Sequence, residues 1–176
     1  MTMAYTIPIS VVTQQKIINL TEGYIVQAGD IFNREFNQID IRFDLTGRAA
    51  GMYKVDGRCK QIRFNPDHFA THRQENIRET IPHEVAHYII SEVYGIRNVK
   101  PHGLEWQALM RKFGVEPRRT YSYSLDGIPT RQHRRYLYAC ACREFEITTR
   151  RHNSIQSGRA YYTCKDCGDT IKKAGH

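Results

Sequence analysis

The sequence predicts an α+β protein in two parts. A helical N-terminal portion surrounds a small antiparallel β-meander, and a short C-terminal portion is organised by two cysteine pairs. Three observations carry this. Apolar residues recur at helical spacing through residues 10–36, 72–94 and 103–113. Between them, at residues 39–64, the period changes to alternation, with an Asp56-Gly57 turn between extended runs. Four of the five cysteines then fall at 140, 142, 164 and 167. Of the 176 residues, 40% are hydrophobic and 25% charged, ordinary globular usage that excludes wholesale disorder. No run approaches the roughly 18 apolar residues of a membrane helix. Residues 1–9 lack the basic and apolar regions of a secretory signal. Paired cysteines in such a chain point to metal binding in a reducing compartment rather than to disulfides. A cytoplasmic location without a membrane partner is therefore expected.

The elements follow in order. Val11, Ile17, Ile18, Ile25, Ala28, Ile31 and Phe32 mark one long amphipathic helix, with possible breaks at Gly23 or Gly29. Ile39, Ile41, Phe43 and Leu45 alternate with polar residues; Ala49 to Val55 and Lys60 to Phe64 complete the meander, which Asn65-Pro66 closes. Residues 72–94 read as a helix that either kinks at Pro82 or restarts near it. A second helix over 103–113 ends at Gly114 and carries Trp106, Met110 and Phe113 on one core-facing side. Residues 117–135 read as a linker, and the domains as 1–125 and 126–176. Arg143 to Arg150 and Arg159 to Thr163 read as strands of a hairpin turning at Ser157-Gly158. Cys59, inside the meander, reads as a buried reduced thiol.

The chemistry concentrates in His83-Glu84-Val85-Ala86-His87, an H-E-x-x-H motif. On a helix, positions i and i+4 share a face, so both imidazoles reach one zinc ion, and Glu84 sits beside the metal as a base for its water. An open catalytic site takes three protein ligands. His102, fifteen residues after His87, is the leading third candidate, with Glu92 and Glu105 as alternatives. The bland reading is a surface helix with two solvated histidines. Metal-assisted amide hydrolysis also needs a donor for the oxyanion; Tyr53, Tyr88 and Tyr94 qualify by residue type only. In the C-terminal portion, Cys140, Cys142, Cys164 and Cys167 have the arrangement of a zinc ribbon, a closed tetrahedral site that holds a fold. The alternative there is free thiols or a redox pair.

His83-Glu84-x-x-His87 followed by His102-Gly103-x-Glu105-Trp106 resembles the SprT-like zinc metallopeptidases, the family of the Spartan DNA–protein crosslink proteases. The resemblance extends through Ala50-Gly51, Ile62-Arg63-Phe64-Asn65-Pro66, Ile81-Pro82 and Arg150-Arg151-His152-Asn153 to the final cysteines, nearly the whole chain. It implies a zincin-like metallopeptidase core, a catalytic zinc on His83, His87 and His102, Glu84 as the catalytic residue, and a structural zinc on the cysteines. The family's eukaryotic members cleave proteins crosslinked to DNA.

Charge adds a partner. Residues 1–110 hold 12 Lys+Arg against 12 Asp+Glu, whereas residues 111–176 hold 14 against 6, so the net +8 lies entirely in the second segment. A basic excess of that kind suits a polyanion, most economically DNA. Arg134, Arg135, Arg150 and Arg151 are candidate phosphate contacts, interleaved with Tyr136, Tyr138, Tyr161 and Tyr162. For Tyr138 and Tyr161, packing inside the ribbon is the favoured role. Three functions fit: a DNA-associated metalloprotease, a nucleic-acid-binding zinc protein whose peptidase-like part is inactive, or a protease whose ribbon grips protein. An intact Glu84 favours the first.

Overall fold

Ser10 starts the first helix by accepting a hydrogen bond from the Thr13 N–H, 3.2 Å away, which satisfies a backbone donor that the helix itself cannot. This element opens a computed structural model that describes residues 8–120, 124–130 and 134–174. The chain divides between Thr130 and Arg131 into two units.

In the first unit, α1 (Val11–Phe32) runs without interruption past Gly23 and Gly29, and Asn33 closes it in the left-handed conformation. Ile17, Thr21, Ile25 and Ala28 form its buried stripe, and each fully buried isoleucine contributes roughly 1.5–3 kcal/mol. Thr21 returns its hydroxyl to the Ile17 carbonyl at 2.8 Å, so it enters the core with its polar atom satisfied. The sheet holds β1 (Asp40–Arg42), β2 (Gly51–Asp56) and β3 (Cys59–Phe64) in the order β1-β3-β2. β2 and β3 form the expected antiparallel hairpin, turning through Gly57-Arg58 with Gly57 at φ 59°. β1 departs from the expected meander: it pairs in parallel with β3, with Ile41 beside Ile62. Phe43 and Leu45 are buried beyond its end, in loop rather than strand. Alternation reported which side chains are buried but not which strand they face. Cys59 lies at the start of β3 and is exposed, not buried.

The helix expected over residues 72–94 is present as unbroken helical backbone from Arg73 to Tyr94, with its irregularity just before Pro82. After α2 (Pro66–Thr71) and the single turn α3 (Arg73–Glu75), a π-helical turn, Asn76–Thr80, leads into α4 (Ile81–Tyr94) with Pro82 in its first turn. The backbone stays right-handed helical through Thr80 and Ile81, so the missing N–H of Pro82 falls beside the π turn rather than at a free helix end. Buried polar groups tie these pieces to the sheet. Asn65 caps α2 by accepting from the Asp67 N–H at 3.0 Å and donates to the carbonyls of Gly47 and Ala49, just before β2. Asn76 donates to the carbonyls of His68 and His72 and accepts from the Thr80 hydroxyl at 2.7 Å. α5 (Leu104–Lys112) packs on α4 and buries Trp106, Leu109 and Met110, with Phe113 buried at its end.

In the second unit, β4 (Arg135–Ala139) is flanked by β5 (Glu144–Thr148) and β6 (Lys172–Lys173), both antiparallel to it. The expected hairpin around Ser157-Gly158 is absent. Residues Thr149–Gln156 form a helix, α6, capped by the Thr148 hydroxyl. Arg150 and Arg151 therefore sit in the first turn of a helix, not in the middle of a hairpin. The core is small: Tyr138, Ile147, Cys164 and Ile171. Tyr138 packs there as expected, but Tyr161 is 81% exposed. Among the described residues no helix is long and apolar enough to cross a membrane.

Candidate metal centres

α4 places His83 and His87 one turn apart on one face, and His102, in the loop before α5, completes a triangle. The three Nε2 atoms lie 3.2 Å (His83–His87), 3.0 Å (His87–His102) and 3.0 Å (His83–His102) from one another. Three imidazole nitrogens cannot all satisfy each other by hydrogen bonds in a closed triangle. Their separation is close to the roughly 3.3 Å between nitrogens that sit 2.0–2.1 Å from a tetrahedral zinc. The donor set thus fits one cation with a position left open. Two features hold His102 in place. Its backbone occupies the left-handed region at φ 58°, a cost of about 1–3 kcal/mol, and its carbonyl accepts from the Gln107 amide at 3.0 Å. Trp106 packs its ring 4.7 Å from the rings of both His83 and His102 and donates its indole N–H to the His83 carbonyl at 3.3 Å. It is core, and it is also the floor of the cluster. Burial, reinforced by the other imidazoles, pushes His83 down to about 3 and His87 to about 4, so both are neutral and able to bind a metal.

Glu84 lines two clefts with His83 and is anchored to the sheet through one oxygen. Its Oε2 accepts the backbone N–H of Tyr53 on β2 at 2.7 Å, and burial pushes its pKa up to about 8, against that one stabilising hydrogen bond. A cation beside it would reverse the sign of that environment. Gly51 makes the approach possible: a Cβ there would lie 2.7 Å from both Glu84 Cγ and Thr80 Cγ2. Nothing in the sequence pattern marked this packing, because the two residues are more than thirty apart.

Two clefts flank the cluster. One, of about 230 Å³, runs along Arg48, Ala49 and Ala50 to Leu125. The other, of about 380 Å³, is lined by Met52, Ile90, Ile96 and Val99 as well as all three histidines. The tyrosines named as oxyanion donors separate here. Tyr88 is buried and donates to the Asn37 carbonyl at 2.8 Å; Tyr94 lines neither cleft; Tyr53 lines the larger one but its hydroxyl is engaged with Ser91 at 3.2 Å. Glu92, an alternative ligand, instead pairs with Lys60 on the outside, and Glu105 lines neither cleft. Arg119 lines both clefts, although no periodicity or motif in its linker-like stretch singled it out.

The second cluster is built from two turns. Cys140 and Cys142 occupy the reversal between β4 and β5; Cys164 and Cys167 occupy a tight turn whose Gly168 N–H donates to the Cys164 carbonyl at 3.0 Å. The Sγ atoms are 3.3 Å apart for Cys140–Cys142 and 3.7 Å for Cys142–Cys164, and all four lie within 4.8 Å of one another. Tetrahedral thiolates at 2.3 Å from zinc would be about 3.8 Å apart. The chemistry and the spacing fit a closed four-thiolate site.

Of the basic residues, Arg134, Arg135, Arg150 and Arg151 are all exposed. Arg134 lies over the Tyr136 ring at 5.1 Å and Arg151 over Tyr162 at 5.5 Å, while Tyr136 stacks on His152 with centroids 3.6 Å apart. Arg143 is committed to Asp166 at 2.9 Å.

A helix face and a following loop that converge three imidazoles, a carboxylate buried against the adjacent sheet, and a separate four-thiol unit together define an α+β protein with two candidate metal sites. The chain belongs to the SprT-like family, whose sequence model matches residues 21–127. It is 38% identical over 153 residues to Protein SprT of Pseudomonas paraeruginosa, covering 85% of this chain and 88% of that one. It is 32% identical over 166 residues to Protein SprT of Klebsiella pneumoniae, covering 94% and 95%. Protein SprT of Photorhabdus laumondii is likewise 32% identical, over 93% of this chain and 81% of its own. No solved structure matches the chain.

Proposed function

We propose that this protein is a zinc-dependent metalloendopeptidase in which His83, His87 and His102 hold the catalytic ion and Glu84 is the general base. The observation that carries this is the triangle of Nε2 atoms, 3.0–3.2 Å on a side, with the buried Glu84 carboxylate lining the same clefts and forming no ion pair with a described side chain. A bound zinc would lower the pKa of a water toward neutrality and polarise a carbonyl. Glu84, fixed by the Tyr53 N–H through one oxygen, has its other oxygen for the water's proton and returns that proton to the leaving amine. Trp106 and the buried face of α4 hold two of the histidines in register and keep bulk water from behind them. The apolar lining of the larger cleft suits a substrate side chain.

A second zinc on Cys140, Cys142, Cys164 and Cys167 would organise the C-terminal unit, in which, besides the ligand Cys164, the buried core cluster among the described residues is Tyr138, Ile147 and Ile171. That unit's exposed arginines, set over aromatic rings, support DNA as the partner, so the substrates on this reading are DNA-associated or DNA-crosslinked proteins. The test is metal content and proteolysis measured together on wild type and Glu84→Gln, with and without DNA. The expected result is two zinc ions in both, cleavage only by the wild type, and stimulation by DNA. One zinc that survives His83→Ala/His87→Ala would remove the catalytic site from this account.

A further inference from the structure

We propose that Arg119 is a further catalytic residue, the donor that stabilises the oxyanion during hydrolysis. The clefts on either side of the histidine cluster share four lining residues: Gly51, His83, Glu84 and Arg119. The first three already have reasons to stand at that junction. Gly51 leaves the space that Glu84 occupies, Glu84 is the base, and His83 is a vertex of the nitrogen triangle. A substrate that spans both clefts would pass the four residues they share. Arg119 is the one that supplies N–H donors and positive charge there.

The other candidate donors are either bonded elsewhere or stand away from the junction, as Arg48 does by lining only the smaller cleft. Tyr88 and Tyr53 are hydrogen-bonded elsewhere, Tyr94 is outside both clefts, and Lys100 lines only the larger one. Arg119, by contrast, is exposed and forms no ion pair or hydrogen bond with any described residue. An unpaired guanidinium has its strongest partner in an oxygen that gains negative charge, because charge-assisted bonds are about twice as strong as neutral ones.

The step balances as follows. The oxygen of water adds to the carbonyl carbon while Glu84 takes a proton from it, and the C=O π pair moves onto the carbonyl oxygen. Arg119 donates an N–H to that oxygen. The pair then returns, the C–N bond breaks, and Glu84 delivers its proton to the departing nitrogen, leaving an acid and an amine. A donor that meets the charge only after addition lowers the barrier without tightening substrate binding.

This rests on the hydrolase reading, and the experiment separates the two. Steady-state cleavage of a fluorogenic peptide is measured for the zinc-loaded full-length protein, Arg119→Ala and Arg119→Lys. Binding of the same peptide is measured by anisotropy to Glu84→Gln with and without Arg119→Ala, and affinity for a phosphinic peptide, which mimics the tetrahedral species, to wild type and Arg119→Ala. The expected outcome for Arg119→Ala is a fall in kcat of about 10²–10³-fold. KM, peptide affinity and zinc content stay the same, phosphinate affinity falls in parallel, and Arg119→Lys is intermediate. Wild-type kcat in Arg119→Ala, a loss confined to KM, or loss of zinc would each overturn the assignment while leaving the protease reading intact. A wild type that cleaves nothing would overturn the protease reading and this assignment with it.

Discussion

The two metal-ligand clusters of this chain are built in opposite ways. The histidines belong to a helix and a loop backed by a large core, with α1, the sheet and α5 all packed around α4. The cysteines belong to two turns at the ends of short strands, with Tyr138, Ile147 and Ile171 as the buried core packed with Cys164. A framework that already folds can keep three donors and an open position, and it can bury a carboxylate such as Glu84 without a counter-ion. A unit with so small a core would use all four donors on a metal, and binding would then become folding free energy, roughly 10–16 kcal/mol for a structural zinc. The same element would do chemistry in one place and hold shape in the other, and the difference lies in what surrounds it.

The sharpest way to break this contrast is Glu84→Gln. The amide is nearly isosteric and cannot accept the water's proton, so peptide cleavage should fall by several orders of magnitude with zinc content and melting behaviour unchanged. Unchanged cleavage in the purified variant sinks the mechanism. The complementary change is Cys164→Ser. It should unfold the C-terminal unit, seen as collapsed dispersion of the residue 134–174 NMR signals, while Trp106, the single tryptophan, keeps its native emission. Spreading of the loss to Trp106 would show that the two parts are not energetically separate.

Next in size is Gly51→Ala. Its Cβ would meet Glu84 and Thr80 at 2.7 Å, so helix and strand must separate, at a cost of about 1–3 kcal/mol. Denaturant titration followed at Trp106 measures this, and activity should fall further than stability because Glu84 is displaced.

A smaller effect concerns the metal-free protein and pH. His83 and His87 have folded pKa values near 3 and 4 against an ordinary 6.5, so the unfolded chain takes up protons first. Stability from them is present above about 6.5 and is lost as pH falls toward 4. Glu84 has the opposite sign: its pKa near 8 against 4.5 means stability present at low pH is lost as pH rises through 8. The two histidines outweigh the one carboxyl below 6.5, so metal-free stability should peak near that pH. Glu84→Gln should abolish the decline on the alkaline side; a profile identical to wild type would contradict the buried-carboxyl account. The smallest expected effect is at the surface. Arg150→Ala/Arg151→Ala should weaken DNA binding across sequences alike and flatten its salt dependence by up to about two units, read from affinity at several salt concentrations. Salt-insensitive binding would favour a protein partner for this unit.

The local chemistry was legible in the sequence because it depends on spacing along one element. His83 and His87 fall four apart in an apolar helical pattern, and helix geometry alone then puts them on one face. The cysteine pairs and the Asp56-Gly57 turn were likewise local. The strand expected from Arg143 is present as β5 up to Thr148; the misread segment is 149–163, and it fails for a local reason too, because the Thr148 hydroxyl caps a helix that the following polar residues can continue. What only tertiary structure decided are the relations between distant segments. These are the parallel placement of β1 on β3, the third imidazole brought in by a left-handed His102, and the glycine at 51 that lets a strand N–H reach Glu84. Arg119 at the meeting of two clefts belongs with them. Each depends on which surfaces pack together, a sum over the whole core that no window of neighbouring residues contains.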